Sequence, residues 1–149
     1  MTKQRGFSLI ELLIVVAIIL IIAAIAIPNL IKSKMAANEA SAVESLRTIN
    51  TAEVTYASTY GTGYTNLATL GLSGFVDAVL SSGKKSGYTF TAVPSDGTGS
   101  SIDPYTGYTA TGIRQGSNTG TRMFCTDSTG VIRYVTVSSG CSSSSSPLQ

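Results

Sequence analysis

One carboxylate stands where a carboxylate is expensive. Glu11 is the only ionisable side chain in the twenty-one residues from Phe7 to Ile27, and the sixteen from Leu12 to Ile27 are apolar without a break. At the centre of a bilayer such a charge costs roughly 2.5–3.5 kcal/mol, and less toward the interface. A chain that carries this cost usually has a partner for the charge. The other chemistry-bearing residues are few. The sequence has no His, which removes the commonest general base, metal ligand and triad member. Cys125 and Cys141 are the two cysteines; if the chain is exported, they favour one disulfide. Closing the loop between them would stabilise by about 3 kcal/mol in the chain-entropy view. Asp96, Asp103 and Asp127 fall in turn-rich segments and could approach a calcium ion, but they lack EF-hand spacing, so solvated turn aspartates are the stronger reading. There is no Gly-rich phosphate loop. An enzyme is therefore not expected, and neither is a cofactor.

The element that must position Glu11 is a helix. At about 1.5 Å per residue, Phe7 to Ile27 spans a hydrocarbon core of roughly 30 Å. Lys3 and Arg5 precede it, which places the N-terminus in the cytoplasm and exports the residues beyond the helix. A secretory signal cut at Ala24-Ile25-Ala26 competes with this reading. Against it, Glu11 sits inside the apolar region and Ile27-Pro28 would follow the cut awkwardly. A plain membrane anchor would need neither a Gly-Phe junction nor Glu11. A buried core helix fails because the segment is apolar all round.

The stretch Met1-Thr2-Lys3-Gln4-Arg5-Gly6, then Phe7, Glu11 and the apolar run from Leu12 to Ile27, closely resembles the leader and N-terminus of type IV prepilins. A short basic leader ends in Gly, Phe follows, Glu stands fifth after the junction, and nothing in the pattern is missing. The resemblance implies cleavage after Gly6 by a prepilin peptidase, methylation of the new Phe7 amine by the same class of enzyme, and assembly into a homopolymeric filament. It also implies inner-membrane lipid around the helix before assembly, and an assembly platform with a separate ATPase. In such a filament Glu11 would pair with a Phe7 amine and set subunit registration. Residues 1–6 are then a leader peptide, 7–29 a transmembrane and filament-core helix, and 30–149 a periplasmic or extracellular head with a Ser-rich tail from 142. The resemblance is specific over roughly the first 60 residues.

The rest of the chain reads as α+β. Pro28 lacks a backbone donor and should kink or loosen the helix. Beyond it, Leu30, Ile31, Met35, Val43, Leu46, Ile49, Asn50 and Val54 keep helical spacing, and Lys32, Lys34, Glu39, Glu44, Arg47 and Glu53 fall between them as a polar face. Gly61-Thr62-Gly63 ends the helix, which would then be roughly 80 Å long. Its apolar stripe should pack the head while its first half projects. Residues 64–83 predict one or two short helical turns. Strands are predicted over Tyr88–Val93, closed by Pro94, then over Tyr105–Ile113, Thr121–Thr126 and Val131–Val137, with Asp127-Ser128-Thr129-Gly130 as a hairpin turn. These predict an antiparallel four-stranded sheet packed on the C-terminal half of the long helix, in agreement with the pilin fold that the resemblance implies. Ser142 to Gln149 should be a loose tail.

Charge bounds the partners. The formal net charge is +2, and without Lys3 and Arg5 eight basic and eight acidic side chains remain. That argues against a strongly electrostatic nucleic-acid binder. Lys84-Lys85 could touch DNA or a neighbouring subunit, but a solvated turn is the stronger reading, so DNA binding is not signalled. The expected function is a structural subunit of a type IV pilus serving surface attachment, twitching motility or DNA uptake. The alternative within the same architecture is the major pseudopilin of a type II secretion system. Such pseudopilins generally lack the terminal disulfide, so Cys125 and Cys141 tilt the reading to a pilin.

Overall fold

The computed structural model describes residues 6–136 and 140–148. The expectations for Lys3 and Arg5, for a strand reaching Val137 and for Gln149 fall outside them. Two compact units, Met1–Lys34 and Met35–Gln149, divide the chain. Helix α1, Leu9–Tyr60, contributes to both and is continuous across Pro28.

In the first unit the large apolar residues of α1 are exposed from Leu9 through Ile31. In the second unit α1 buries Glu39, Ala42, Val43, Ser45, Leu46, Ile49, Ala52 and Glu53. Offsets of three, four and seven put these on one face. Val54, expected in the stripe, is exposed, because it lies one step round the helix from Glu53. Gly61 follows the helix with φ +69° and donates its N–H to Ala57 O at 3.0 Å, which closes the last turn.

Two short helices come after it. In α2, Leu67–Leu72, Asn66 Oδ1 accepts the Thr69 N–H; in α3, Ala78–Ser81, Asp77 Oδ1 accepts the Leu80 N–H. Each cap satisfies a donor that the helix leaves orphaned. Leu67, Leu70 and Leu80 are buried, while Leu72 and Val79 face outward.

The sheet has six strands rather than four. They are β1 Lys84–Lys85, β2 Tyr88–Ser95, β3 Gly107–Arg114, β4 Met123–Asp127, β5 Arg133–Val135 and β6 Ser146–Pro147. All neighbours are antiparallel and the spatial order is the chain order. The two extra strands are the Lys84-Lys85 turn and part of the expected loose tail. Both are two residues long, too short for any alternation to show. The tail is tied down because Leu148 donates its N–H to Ile132 O at 2.8 Å and packs against the core. Pro94 does not close β2, which runs on to Ser95. The reason is that β1 pairs only with Tyr88 and Thr89, so Pro94 lies on a free edge where no N–H is required.

One face of β2 and β3 supplies Tyr88, Phe90, Ala92, Tyr108 and Ala110 to a core shared with Leu46 and Ile49 of α1 and Phe124 of β4. On β4 the alternation fails: Met123, Phe124, Cys125 and Thr126 are all buried. Its outer face is covered around the link from Cys125 to Cys141. The result is the α+β arrangement of long helix and antiparallel sheet that resemblance to pilins implies.

Candidate functional site

The N-terminal junction is built from a stop and a start. Gly6, Phe7 and Ser8 precede the helix, and all three are exposed, Phe7 to 78%. A Cβ added at Gly6 would meet no described residue within 4 Å. Among the described residues, nothing therefore requires glycine there.

Ser8 stands immediately before α1, and Glu11 is the third residue of the helix. The Ser8 backbone N–H donates to Glu11 Oε2 at 2.9 Å, and Leu12 N–H donates to Ser8 O at 3.3 Å. A carboxylate reaching back to the N–H that precedes a helix is half of a capping box. It also places negative charge at the positive end of the helix dipole. The Ser-x-x-Glu spacing was visible in the sequence, and it is the signal by which this local role of Glu11 could have been found. After Glu11, α1 is long and apolar enough to cross a membrane, and none of its most apolar window is buried.

In the second unit, polar ties fasten α1 to the sheet and loops, among them those of Glu39, Asn50 and Glu53. Glu39 Oε1 accepts from Thr121 N at 2.6 Å, Thr121 Oγ1 at 2.7 Å and Arg122 N at 3.1 Å, while Oε2 accepts from Arg122 Nε at 2.8 Å. Burial pushes this carboxyl up, but the hydrogen bonds from Thr121 and Arg122 outweigh it and hold the group below its ordinary range. Asn50 Nδ2 donates to Thr126 Oγ1 at 3.0 Å, and its Oδ1 accepts from Tyr108 Oη at 2.8 Å. Glu53, fully buried, accepts the Thr65 N–H at 2.9 Å. Sequence reading placed Glu39 and Glu53 on the polar face. Yet both lie seven residues from buried Leu46, which puts them on its face of the helix.

Cys125 and Cys141 are joined by a disulfide, with Cα atoms 5.7 Å apart. Lys84 and Lys85 form β1, and Lys85 Nζ lies 3.5 Å from Asp77 Oδ2. Asp96 and Asp127 line one open cleft with Arg133, and Asp103 is not part of it. Thr129 donates to Asp127 and holds its carboxyl below its ordinary range. Among the described residues, no group of three or more His, Cys, Asp or Glu side chains is placed to hold a metal ion.

Residues 1–27 match the protein-family model described as the prokaryotic N-terminal methylation motif. The chain is 50% identical over 56 residues to the type IV major pilin protein PilA of Myxococcus xanthus, a stretch covering 38% of this chain and 26% of that protein. It is 56% identical over 39 residues to the type IV wide pilus major component PilA4 of Thermus thermophilus, covering 26% of this chain and 30% of that protein. The chain thus spans less than a third of the length of each of these relatives. Gly6, Phe7 and Glu11 all fall inside the matched motif, as does most of the exposed apolar run of α1. Residues 1–27 are thus similar to a prokaryotic N-terminal methylation motif, and the matched N-terminal part of the chain is similar to that of two type IV pilus major components.

Proposed function

We propose that the chain is a structural subunit of a type IV pilus. It enters the inner membrane as a prepilin, is cut after Gly6, is methylated at the Phe7 amine, and polymerises with copies of itself. The observation that carries this reading is the methylation motif over residues 1–27 joined to a helix whose apolar length is left uncovered. Residues 1–6 act as leader, 7–29 as membrane and then filament-core segment, and 30–149 as the exported head. The role is structural rather than catalytic, in keeping with relatives named as pilus components.

The energetics divide the work between this chain and its partners. Moving the apolar helix from water to a bundle of like helices would be worth tens of kcal/mol at about 25 cal/mol per Å². From lipid the gain is far smaller, because lipid tails are as apolar as Leu. Extraction therefore takes energy from elsewhere, namely an assembly platform with its own ATPase. The test is electron microscopy of sheared surface fibres with mass spectrometry of their subunit. The expected subunit begins at methylated Phe7. Assembled material beginning at Ile27 or at intact Met1 would overturn the proposal.

A further inference from the structure

Two buried glutamates on one face of α1 are provided for very differently. Glu39 has four donors, one of them the Arg122 guanidinium. Glu53 is 0% exposed and takes one hydrogen bond, from the Thr65 N–H at 2.9 Å, through Oε2. Its other oxygen, Oε1, is buried without a hydrogen-bond partner among the described residues. Glu53 joins none of the ion pairs among the described residues. An ionised carboxylate in that position is short of donors, whereas a neutral acid is tolerable.

The loop that supplies Thr65 is also held by Tyr64, whose ring packs on the core 4.7 Å from that of Tyr108, and by two backbone hydrogen bonds. Tyr64 N–H donates to Tyr105 O and Tyr105 N–H donates to Thr62 O, each at 3.1 Å. These two bonds form an isolated parallel bridge at Gly63, where a Cβ would overlap the Tyr105 backbone. Tyr108 on β3 is the titratable group on which Glu53 acts. It is held well above its ordinary value, first by burial and then by Glu53, Tyr64 and Asp127. None of these offers Glu53 a cation.

We propose that Glu53 is a proton-operated latch on the loop Thr62–Asn66: as the neutral acid it keeps the loop seated on α1, and as the carboxylate it loosens the loop so that water reaches it. The geometry supplies the direction. Extra donors for Oε1 have to come from water, and the segment bonded to the carboxyl has to lift to admit it. Burial, opposed only by the Thr65 hydrogen bond, pushes the group up to about 7, so the two forms exchange in an accessible range. In the opened loop the carboxyl returns to its ordinary value of 4.5. The seated state thus binds the extra proton between those values, and opening becomes easier as pH rises through that window and levels off above it. This inference is independent of filament assembly.

The test is amide hydrogen exchange of Thr65 and Tyr105 in the full chain in detergent micelles, corrected for the intrinsic pH dependence. Protection should fall by roughly fortyfold between about pH 5 and about pH 7 and flatten above about pH 8. Glu53→Gln, which keeps the shape and cannot titrate, should abolish that fall. Protection that is flat in the wild type, or that falls equally in Glu53→Gln, overturns the latch. Carbon-13 NMR of the wild-type Glu53 carboxyl provides a reading that does not depend on the variant folding. A midpoint in the ordinary carboxylate range, or a raised midpoint without loss of Thr65 protection, also overturns it.

Discussion

Glu39 of α1 and Arg122 at the entrance to β4 are joined Oε2 to Nε at 2.8 Å, across eighty-three residues of sequence. The same guanidinium lies 5.5 Å from the Phe124 ring centroid and 5.4 Å from that of Tyr134. One ion pair therefore fixes the helix against the middle of the sheet, and Arg rather than Lys suits it because the planar group also stacks. Arg122 is 38% exposed, so solvent screens part of the interaction. Glu39→Gln should cost about 2 kcal/mol, below the range for breaking a fully buried pair. Urea unfolding of the full chain in micelles, followed by tyrosine circular dichroism, measures this.

The pH dependence of that variant is a second outcome. Because the Glu39 carboxyl is held below its ordinary value in the folded chain, its contribution is fully present above the unfolded carboxylate range. It is lost as pH falls through the depressed folded value. Glu39→Gln should therefore remove part of the loss of stability in acid. An unchanged acid limb would show that other carboxylates dominate there.

The Cys125–Cys141 link encloses the segment between β4 and the last strand. Reduction, or Cys125→Ser with Cys141→Ser, should lower stability by about 3 kcal/mol on the chain-entropy argument for a loop near 15 residues. Loosening should begin at β5 and β6, which are short. Mass after alkylation, with and without reductant, reports the bond; exchange protection of Leu148 reports the loosening.

How much of this was legible from sequence depended on the length of each signal. The apolar run to Ile27 and the glycines ending α1 are long or punctuated patterns, and α1 matches them. Strands β2, β3, β4 and β5 were found because alternation and β-branched residues persisted over several positions. β1 and β6 were not, since two residues carry no period and their pairing depends on a neighbouring strand. Glu39 and Glu53 were missed for another reason. Charge was taken to mean exposure, although their spacing from Leu46 placed them on the buried face. The donors that make Glu39 tolerable, Thr121 and Arg122, lie more than eighty residues away, and no local rule links them.

Gly6 gives a prediction that separates this chain's needs from an enzyme's. A Cβ there meets none of the described residues, so Gly6→Val should leave folding and membrane insertion intact. Cleavage should stop, because a branched side chain does not suit a scissile position occupied by glycine. Full-length chain should then build up in the inner membrane, visible as a species heavier by the leader. Normal fibres from this variant would count against processing at Gly6.

Glu11 carries two roles that one pair of substitutions can separate. In the uncut chain its carboxylate accepts the Ser8 N–H; after cleavage the new Phe7 amine would lie one residue further out, within reach of the same carboxylate or of a neighbour's. Gln at this position can still cap the helix, since the capping box accepts either residue. It cannot neutralise an ammonium ion. Ala does neither. If Glu11 serves mainly as a cap, Glu11→Gln should assemble like the wild type and Glu11→Ala should be the weaker of the two by the small cost of a lost cap, about 1 kcal/mol. If it serves registration, both variants should be cut and inserted but build few or no fibres. A subunit docked out of register then leaves charges unpaired among apolar helices, at about 3–5 kcal/mol. We expect the second outcome. The measurement is fibre yield beside mass spectrometry of the subunit N-terminus. Cut, methylated Glu11→Gln subunits in wild-type amounts of fibre would sink the registration role. Unmethylated or uncut subunits would instead assign Glu11 to recognition by the processing enzyme.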